Sequence, residues 1–424
     1  MSRAMKDSGV PWLKEIPVNW KVERGKNVLA LQKRPVRDND EVVTCFRDGE
    51  VILRSLRRTE GFTMSDKEIG YQGINEGDIV IHGMDGFAGA MGVSKSTGKG
   101  SPVLIVCTPK YDAIPQYIIY YLRALAMTDV FVALATGIRE RSCDLRWNKV
   151  SELEFIMPSS SEQQAIVEFL DRKCAEVDEM IALQEQIIEE LKAYKQSVIT
   201  EAVTKGLNPA APMRDSGIEW IGSIPEHWEV HRIKNHFSII SGSGFDVNLQ
   251  GVTEGELPIC KASDISKAGK YLRTAENYLS REVALSQKFN IIPQNSIMFP
   301  KIGEAMKKNR RAINAVECCV DNNCQALVPY DICLLYSYYM LCSIKMEWYD
   351  NAGTIPSINN SKLRNESIPY PPFTEQQAIA DYLDEKCADI DSLIQTKQSK
   401  IDSLKEYKKS IIYEYVTGKR EVEL

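Results

Sequence analysis

EQQAIVEFLDRKCAEVD, residues 162–178, returns at residues 375–391 as EQQAIADYLDEKCADID. Extended outward, residues 162–206 match 375–419 at an offset of 213, with 22 of 45 positions identical. A second match lies upstream: residues 7–27 (DSGVPWLKEIPVNWKVERGKN) and 215–235 (DSGIEWIGSIPEHWEVHRIKN) share 11 of 21 positions at an offset of 208. Between these blocks, 28–157 and 236–370 are only thinly alike, and the five-residue difference in offset falls there, where surface loops absorb it. The order is therefore a short block, a large divergent block and a helical block, all repeated once. Such a duplication predicts two similar folds related by a pseudo-two-fold axis or stacked on one another.

The helical blocks carry apolar residues at four-three spacing, the signature of a coiled coil. In the first copy these are Leu170, Cys174, Val177, Ile181, Ile188, Leu191 and Val198; in the second, Leu383, Cys387, Ile390, Ile394, Ile401, Leu404 and Ile411. Ser160 or Ser161 ahead of Glu162, and Thr374 with Gln377, are the expected N-terminal caps. About 35–40 helical residues span roughly 50–60 Å. Gln184 with Lys397, and Lys195 with Lys408, interrupt the apolar seam at matching sites. Such polar positions either fix register and orientation or simply leave the seam partly wet. Apolar residues outside the seam (Ile166, Phe169, Met180 and Ile187, then Ile379, Tyr382 and Leu393) are candidates for a subunit interface.

The divergent blocks read as mixed α/β, with strands dominating. GINEGDIVIHG (73–83) is a turn followed by a strand, and FNIIPQNSIMFPKIG (289–303) is its counterpart, aligned through Gly77–Val80 and Asn295–Met298. PQYIIYYLRAL (115–125) and LLYSYYMLCSI (334–344) read as helices whose Tyr117/Tyr336 and Tyr120/Tyr339 rings pack in a core. The expected divisions are 1–157 and 229–370 for the globular domains, 158–206 and 371–424 for the helices, and 207–228 for the linker that opens the second repeat.

With 44% apolar and 26% charged residues among 424, the chain is neither fibrous nor disordered. It has no 18-residue apolar stretch and no apolar signal core at its start, so a cytoplasmic location is expected. Eleven scattered cysteines without a CxxC pair read as buried thiols in a reducing compartment. No catalytic constellation emerges. STGKGS (96–101) lacks the spacing of a phosphate loop, and Tyr370 of YPPF is in the wrong chemical class for an amino-methyltransferase. His227, His231 and His236 are spaced by four and five without a clear helix to carry them, and the first copy has Asn19, Glu23 and Val28 in their places.

Net charge is −6, but the acidity is concentrated: residues 159–206 carry −5, whereas 20–157 and 229–370 carry +1 and +2. Within the divergent blocks, cations cluster at Arg57, Arg58, Lys95, Lys99, Arg139, Arg141 and Arg146, and at Lys301, Lys307, Lys308, Arg310, Arg311 and Lys362. Loops that combine glycine with Arg and Lys suit phosphate and major-groove contacts, which makes these residues candidates for DNA binding.

The tandem EQQAIVEFLD…LKAYKQSVITEAVTKG and EQQAIADYLD…LKEYKKSIIYEYVTGK blocks resemble the specificity subunit of bacterial type I restriction–modification systems. So do the WLKEIPVNWKV/WIGSIPEHWEV pair and TGIRERSCDLRWNKVSELEFIMPS beside AGTIPSINNSKLRNESIPYPP. The resemblance spans about residues 7–420. It implies two mixed α/β target recognition domains separated by an antiparallel two-helix coiled coil, each domain reading half of a bipartite, asymmetric double-stranded DNA target. Gly83–Gly100 and Gly303–Arg311 then correspond to the recognition loops. The resemblance also implies that the helices dock two modification subunits, which hold AdoMet, and that restriction subunits using ATP and Mg²⁺ join the full complex. The chain itself would hold neither cofactor nor metal and catalyse nothing.

Overall fold

The computed structural model describes residues 3–57, 69–128, 130–131, 145–244, 247–351 and 353–422. Its principal helices are α1 (Pro115–Met127), α2 (Ser160–Lys205), α3 (Leu334–Ser343) and α4 (Phe373–Val416). The chain divides into two compact units, one made of 1–185 with 398–424 and the other of 186–397. Each unit thus holds one half of α2 and one half of α4. Among the described residues no helix is long and apolar enough to cross a membrane.

The core of the first unit is an antiparallel sheet in the order Leu29–Leu31, Leu104–Pro109, Ile79–His82, Met91–Val93. IVI at 79–81 is buried on both faces, which explains an unbroken apolar run in place of alternation. The second unit repeats this order with Phe237–Ser241, Cys324–Pro329, Ile297–Pro300 and Ala312–Asn314, and adds Tyr271–Leu272 in parallel at the edge. Gly77 (φ +86°) and Asn295 (φ +67°) both take the left-handed turn before the equivalent strand, as their alignment requires.

Around each sheet stands the same frame. Lys21–Arg24 pairs with Glu154–Met157 in one unit, and Glu229–Arg232 with Ser367–Tyr370 in the other. Tyr117 on α1 is fully buried; its hydroxyl lies 2.8 Å from the Ile156 carbonyl and 3.2 Å from that of Val416, in the last turn of α4. Tyr336 on α3 meets the Pro369 and Val203 carbonyls in the same way. Tyr120 and Tyr339 donate to Asp171 and Asp384, each at 2.6 Å. These rings are core residues that tie globular part to long helix.

The conserved wording of the repeats has a structural cause. Gln163 and Gln376, both buried, accept from the Ile114 and Cys333 backbone N–H and donate to the Pro158 and Pro371 carbonyls. Glu162 and Glu375 accept the indole N–H of Trp20 (2.8 Å) and Trp228 (3.0 Å). EQQ and the IPxxW block are therefore two sides of one hydrogen-bonded joint. The expected caps need correction: Ser159, one residue earlier, accepts from the Glu162 N–H, and α4 already begins at Phe373, which puts Thr374 inside the helix.

The two helices run antiparallel within each unit. In the first, Phe169 stacks on Tyr415 (4.3 Å) and Asp178 pairs with Lys408; in the second, Lys195 pairs with Asp391. All fourteen seam positions are buried or half-buried, with Ile181, Leu191, Ile394 and Leu404 in the latter class. Lys195 and Lys408 therefore reach across to carboxylates at matching sites, whereas the buried Gln184 leaves its Oε1 without a partner among the described residues.

The ten described cysteines are free. Burial pushes the thiols of Cys45, Cys107 and Cys319 up to about 12, so they are neutral and inert at ordinary pH. Against the second frame, His231 and His236 lie edge to edge (Nδ1 to Nε2, 2.7 Å) beneath the Tyr370 ring. Glu229 accepts from His231 Nε2, so His231 Nδ1 is the acceptor and His236 Nε2 the donor.

Candidate nucleic-acid interface

In the second unit, strand Ile297–Pro300 delivers the chain into a basic loop. The loop is fastened to segment 350–359 by backbone hydrogen bonds from Gly303 to Pro356 (2.8 Å) and from Ile358 to Lys301 (3.0 Å). Gly303 has φ +72°, which lets the helical turn Gly303–Lys307 start abruptly. Asn359 caps the turn Asn360–Asn365 by accepting from the Lys362 N–H (3.0 Å). The structure thus brings the two sequence-predicted clusters, Lys301–Arg310 and Lys362, onto adjoining segments.

Electrostatics separates these cations. Lys307 is held by Glu304 at 2.7 Å, which raises its pKa. Lys308, Arg310 and Lys362 are exposed and, like the half-buried Lys301, form no ion pair among the described residues. Arg311 corrects the sequence reading. It is buried, and its guanidinium donates to the Asn309 carbonyl and side chain (3.1 Å each) and to the Ile344 carbonyl. Asn309, at φ +55°, also accepts from Met346 N–H. Arg311 and Asn309 shape the loop from within, and the Arg311 guanidinium is buried away from the surface that would meet DNA.

The first unit is built differently. Lys95 pairs with Glu50 (3.2 Å), and Arg57 lies over the Phe46 ring between Asp48 and Glu50. The Arg57 hydrogen bond holds the Asp48 carboxyl below its ordinary value. Lys99 sits half-buried on strand Gly98–Gly100. Arg58, Arg139 and Arg141 lie outside the described residues. Arg146 lines an open cleft of about 940 Å³ with Gln32, Lys33, Tyr71 and Trp147. Sequence reasoning passed over Lys33, Tyr71 and Trp147; the available signal was the basic run QKRP (32–35) directly after a core strand.

A second surface lies on the helices. Phe169, Tyr407, Ile411 and Tyr415 line a groove of about 610 Å³ in the first unit. Their counterparts Tyr382, Tyr194, Val198 and Ala202 line one of about 630 Å³ in the second. Met180 and Leu393, also counterparts, are 40% and 50% exposed, and Ile187 is half-buried. Ile166 and Ile379 fail as interface candidates: both are buried in their own unit's core, against the globular part. Among the described residues no group of three or more His, Cys, Asp or Glu is arranged to hold a metal ion.

Comparison with known proteins places this geometry. Residues 225–417 match the family model described as the type I restriction modification DNA specificity domain. The chain is 23% identical over 437 residues to the putative type I restriction enzyme MjaX specificity subunit of Methanocaldococcus jannaschii, covering 96% of this chain and 94% of that one. It is 26% identical over 194 residues to the MjaIX specificity subunit of the same organism, covering 43% and 42%. Among solved structures, one described as the structural basis of complex assembly and conformational transition of the type I R-M system aligns with a TM-score of 0.72. The identity is 16%, with 96% of this chain and 99% of that chain covered. The HsdS subunit of Thermoanaerobacter tengcongensis aligns with a TM-score of 0.51 at 17% identity, covering 96% and 98%. The likeness to these two structures is one of fold.

Proposed function

Since the chain belongs to the family of type I restriction–modification specificity subunits, we propose that each of its units reads one half of a bipartite, asymmetric DNA target, the helices serving as the platform for its protein partners. The observation that carries this reading is a constant frame around divergent loops. The Tyr117/Tyr336 and Gln163/Gln376 joints are the same in both units, whereas the first unit's Lys95 and Arg57 are paired with Glu50 and Asp48 and the second unit's Lys308 and Arg310 stand open. Identical frames give both units the same means of attachment, and different loops give them different base preferences. Lys301, Lys308, Arg310 and Lys362 serve one half-site, and Lys95, Lys99 and Arg146 with the open cleft serve the other.

The paired grooves and the Met180/Leu393 pair support one modification subunit per repeat, hence two per chain, with restriction subunits added in the full complex. The frame strands Glu154–Met157, Glu229–Arg232 and Ser367–Tyr370 support domain boundaries near 157, 229 and 370. The test is a chimera in which residues 28–157 are replaced by the matching block of a relative, followed by sequencing of methylated genomic sites. One half of the methylated sequence changes and the other stays. A change in both halves, or a continuous palindromic target for the parent, defeats the reading.

A further inference from the structure

In the first unit an arginine occupies a defined place beside α2. The Arg3 guanidinium lies over the Trp20 ring, 5.0 Å from its centroid, and binds Glu162 Oε1 and, at 3.4 Å, the Asn19 side chain. The second unit repeats the setting in register. Met5 faces Pro17 as Met213 faces Pro225, and Val18 N–H donates to the Ala4 carbonyl as Glu226 N–H donates to that of Pro212. Trp228 donates to Glu375 Oε2 as Trp20 donates to Glu162 Oε2.

That register puts Ala211 where Arg3 stands, and there a pocket of about 220 Å³ opens, lined by Ala211, Pro225, His227, Glu375, Ala378 and Ile379. His227, at the position of Asn19, reaches Glu375 Oε1 at 2.7 Å, the oxygen whose counterpart binds Arg3. Lys205 at the rim is directed to Glu201 at 3.8 Å.

We propose that this pocket binds a guanidinium group, the side chain of an arginine presented by a bound protein. The first unit shows the occupant: the same carboxylate, held from one side by the same indole, takes a guanidinium on its other oxygen. A planar guanidinium fits a carboxylate edge flanked by apolar walls better than a compact, strongly hydrated ammonium does. His227 holds the Glu375 Oε1 oxygen at 2.7 Å and is the group an incoming arginine displaces. The assignment is independent of the DNA reading above, and neither depends on the other's test.

The experiment follows the indole N–H resonances of Trp228 and Trp20 in the full chain. The probes are N-acetyl-arginine methylamide, its citrulline and lysine analogues, and guanidinium chloride. The arginine probe shifts Trp228 saturably and leaves Trp20 unmoved, and citrulline, which lacks the charge, binds about tenfold more weakly or worse. The double change Ala211→Arg/His227→Asn rebuilds the first unit's set and abolishes the response. Arg3→Ala opens the equivalent place, so that Trp20 responds as well. The assignment falls if no saturable shift of Trp228 occurs, if citrulline matches arginine, if the rebuilt variant still responds, or if Trp20 stays silent in Arg3→Ala. A response to guanidinium chloride without one to the arginine probe overturns the protein-borne source.

Discussion

Arg310 and Arg311 are adjacent in the chain and differ in everything the environment controls. Arg311 is desolvated and hydrogen-bonded into its own loop, so Arg311→Ala empties a buried site and takes one donor each from the Ile344 carbonyl and the Asn309 side chain, which keep only the Asn309 Nδ2 and Met346 N–H bonds. That variant should lose solubility or unfold at lower temperature, seen in a thermal melt. Arg310→Ala should melt like the parent, weaken DNA binding about tenfold and reduce the salt slope of the binding constant by about one. Sequence could not separate the two, because both belong to the same basic run and burial is decided by residues 33 positions away. A second prediction concerns His236. Burial, then the neighbouring His231, hold its pKa below the ordinary 6.5. The unfolded chain therefore binds that proton more readily than the folded one. Stability from this site is complete above pH 6.5 and is lost as pH falls below it, at up to about 1.4 kcal/mol per pH unit. The melting transition of the second unit should drop between pH 7 and pH 5.5. His236→Gln should flatten that part of the drop.

Among the elements, the long helices were the most legible, since heptad spacing reports directly on which face is covered. The sheets were legible as elements but not as pairings: Leu104–Pro109 lies between Leu29–Leu31 and Ile79–His82, a neighbourhood that spacing along the chain does not encode. The candidate binding surface was legible as a list of cations and illegible as a site, because Lys95 is neutralised by Glu50, 45 residues earlier in the chain, and Arg57 is folded back onto Asp48 and Glu50 of the hairpin that precedes it. Two element-scale predictions follow from the joints. Tyr336→Phe removes a buried hydroxyl that spans the frame strand and the last turn of α2, and should cost about 1–2 kcal/mol in urea unfolding. Lys195 and Asp391 are partly exposed, so their coupling in a double-mutant cycle should be only about 0.2–1 kcal/mol, with the exchanged pair restoring the parent value. A coupling near zero would assign Lys195 to a wet seam after all.

At the scale of the whole molecule, duplication makes the partner surfaces a controlled comparison. Tyr407→Ala and Tyr194→Ala alter the same position in the two grooves, and each should remove one modification subunit from the purified complex, read by native mass measurement. Loss of both from a single change would mean that one groove governs docking. The units also interleave along the chain: the first needs residues 398–424, the second needs nothing beyond 397. During synthesis the usual order is then inverted. The later unit has all its residues in hand first, while Leu170 and Cys174 of the earlier one wait for Ile412, Tyr415 and Val416 to be made. A chain cut short after residue 397 would keep every residue of the later unit and leave the apolar helix face of the earlier one bare, which makes such a product a substrate for chaperones.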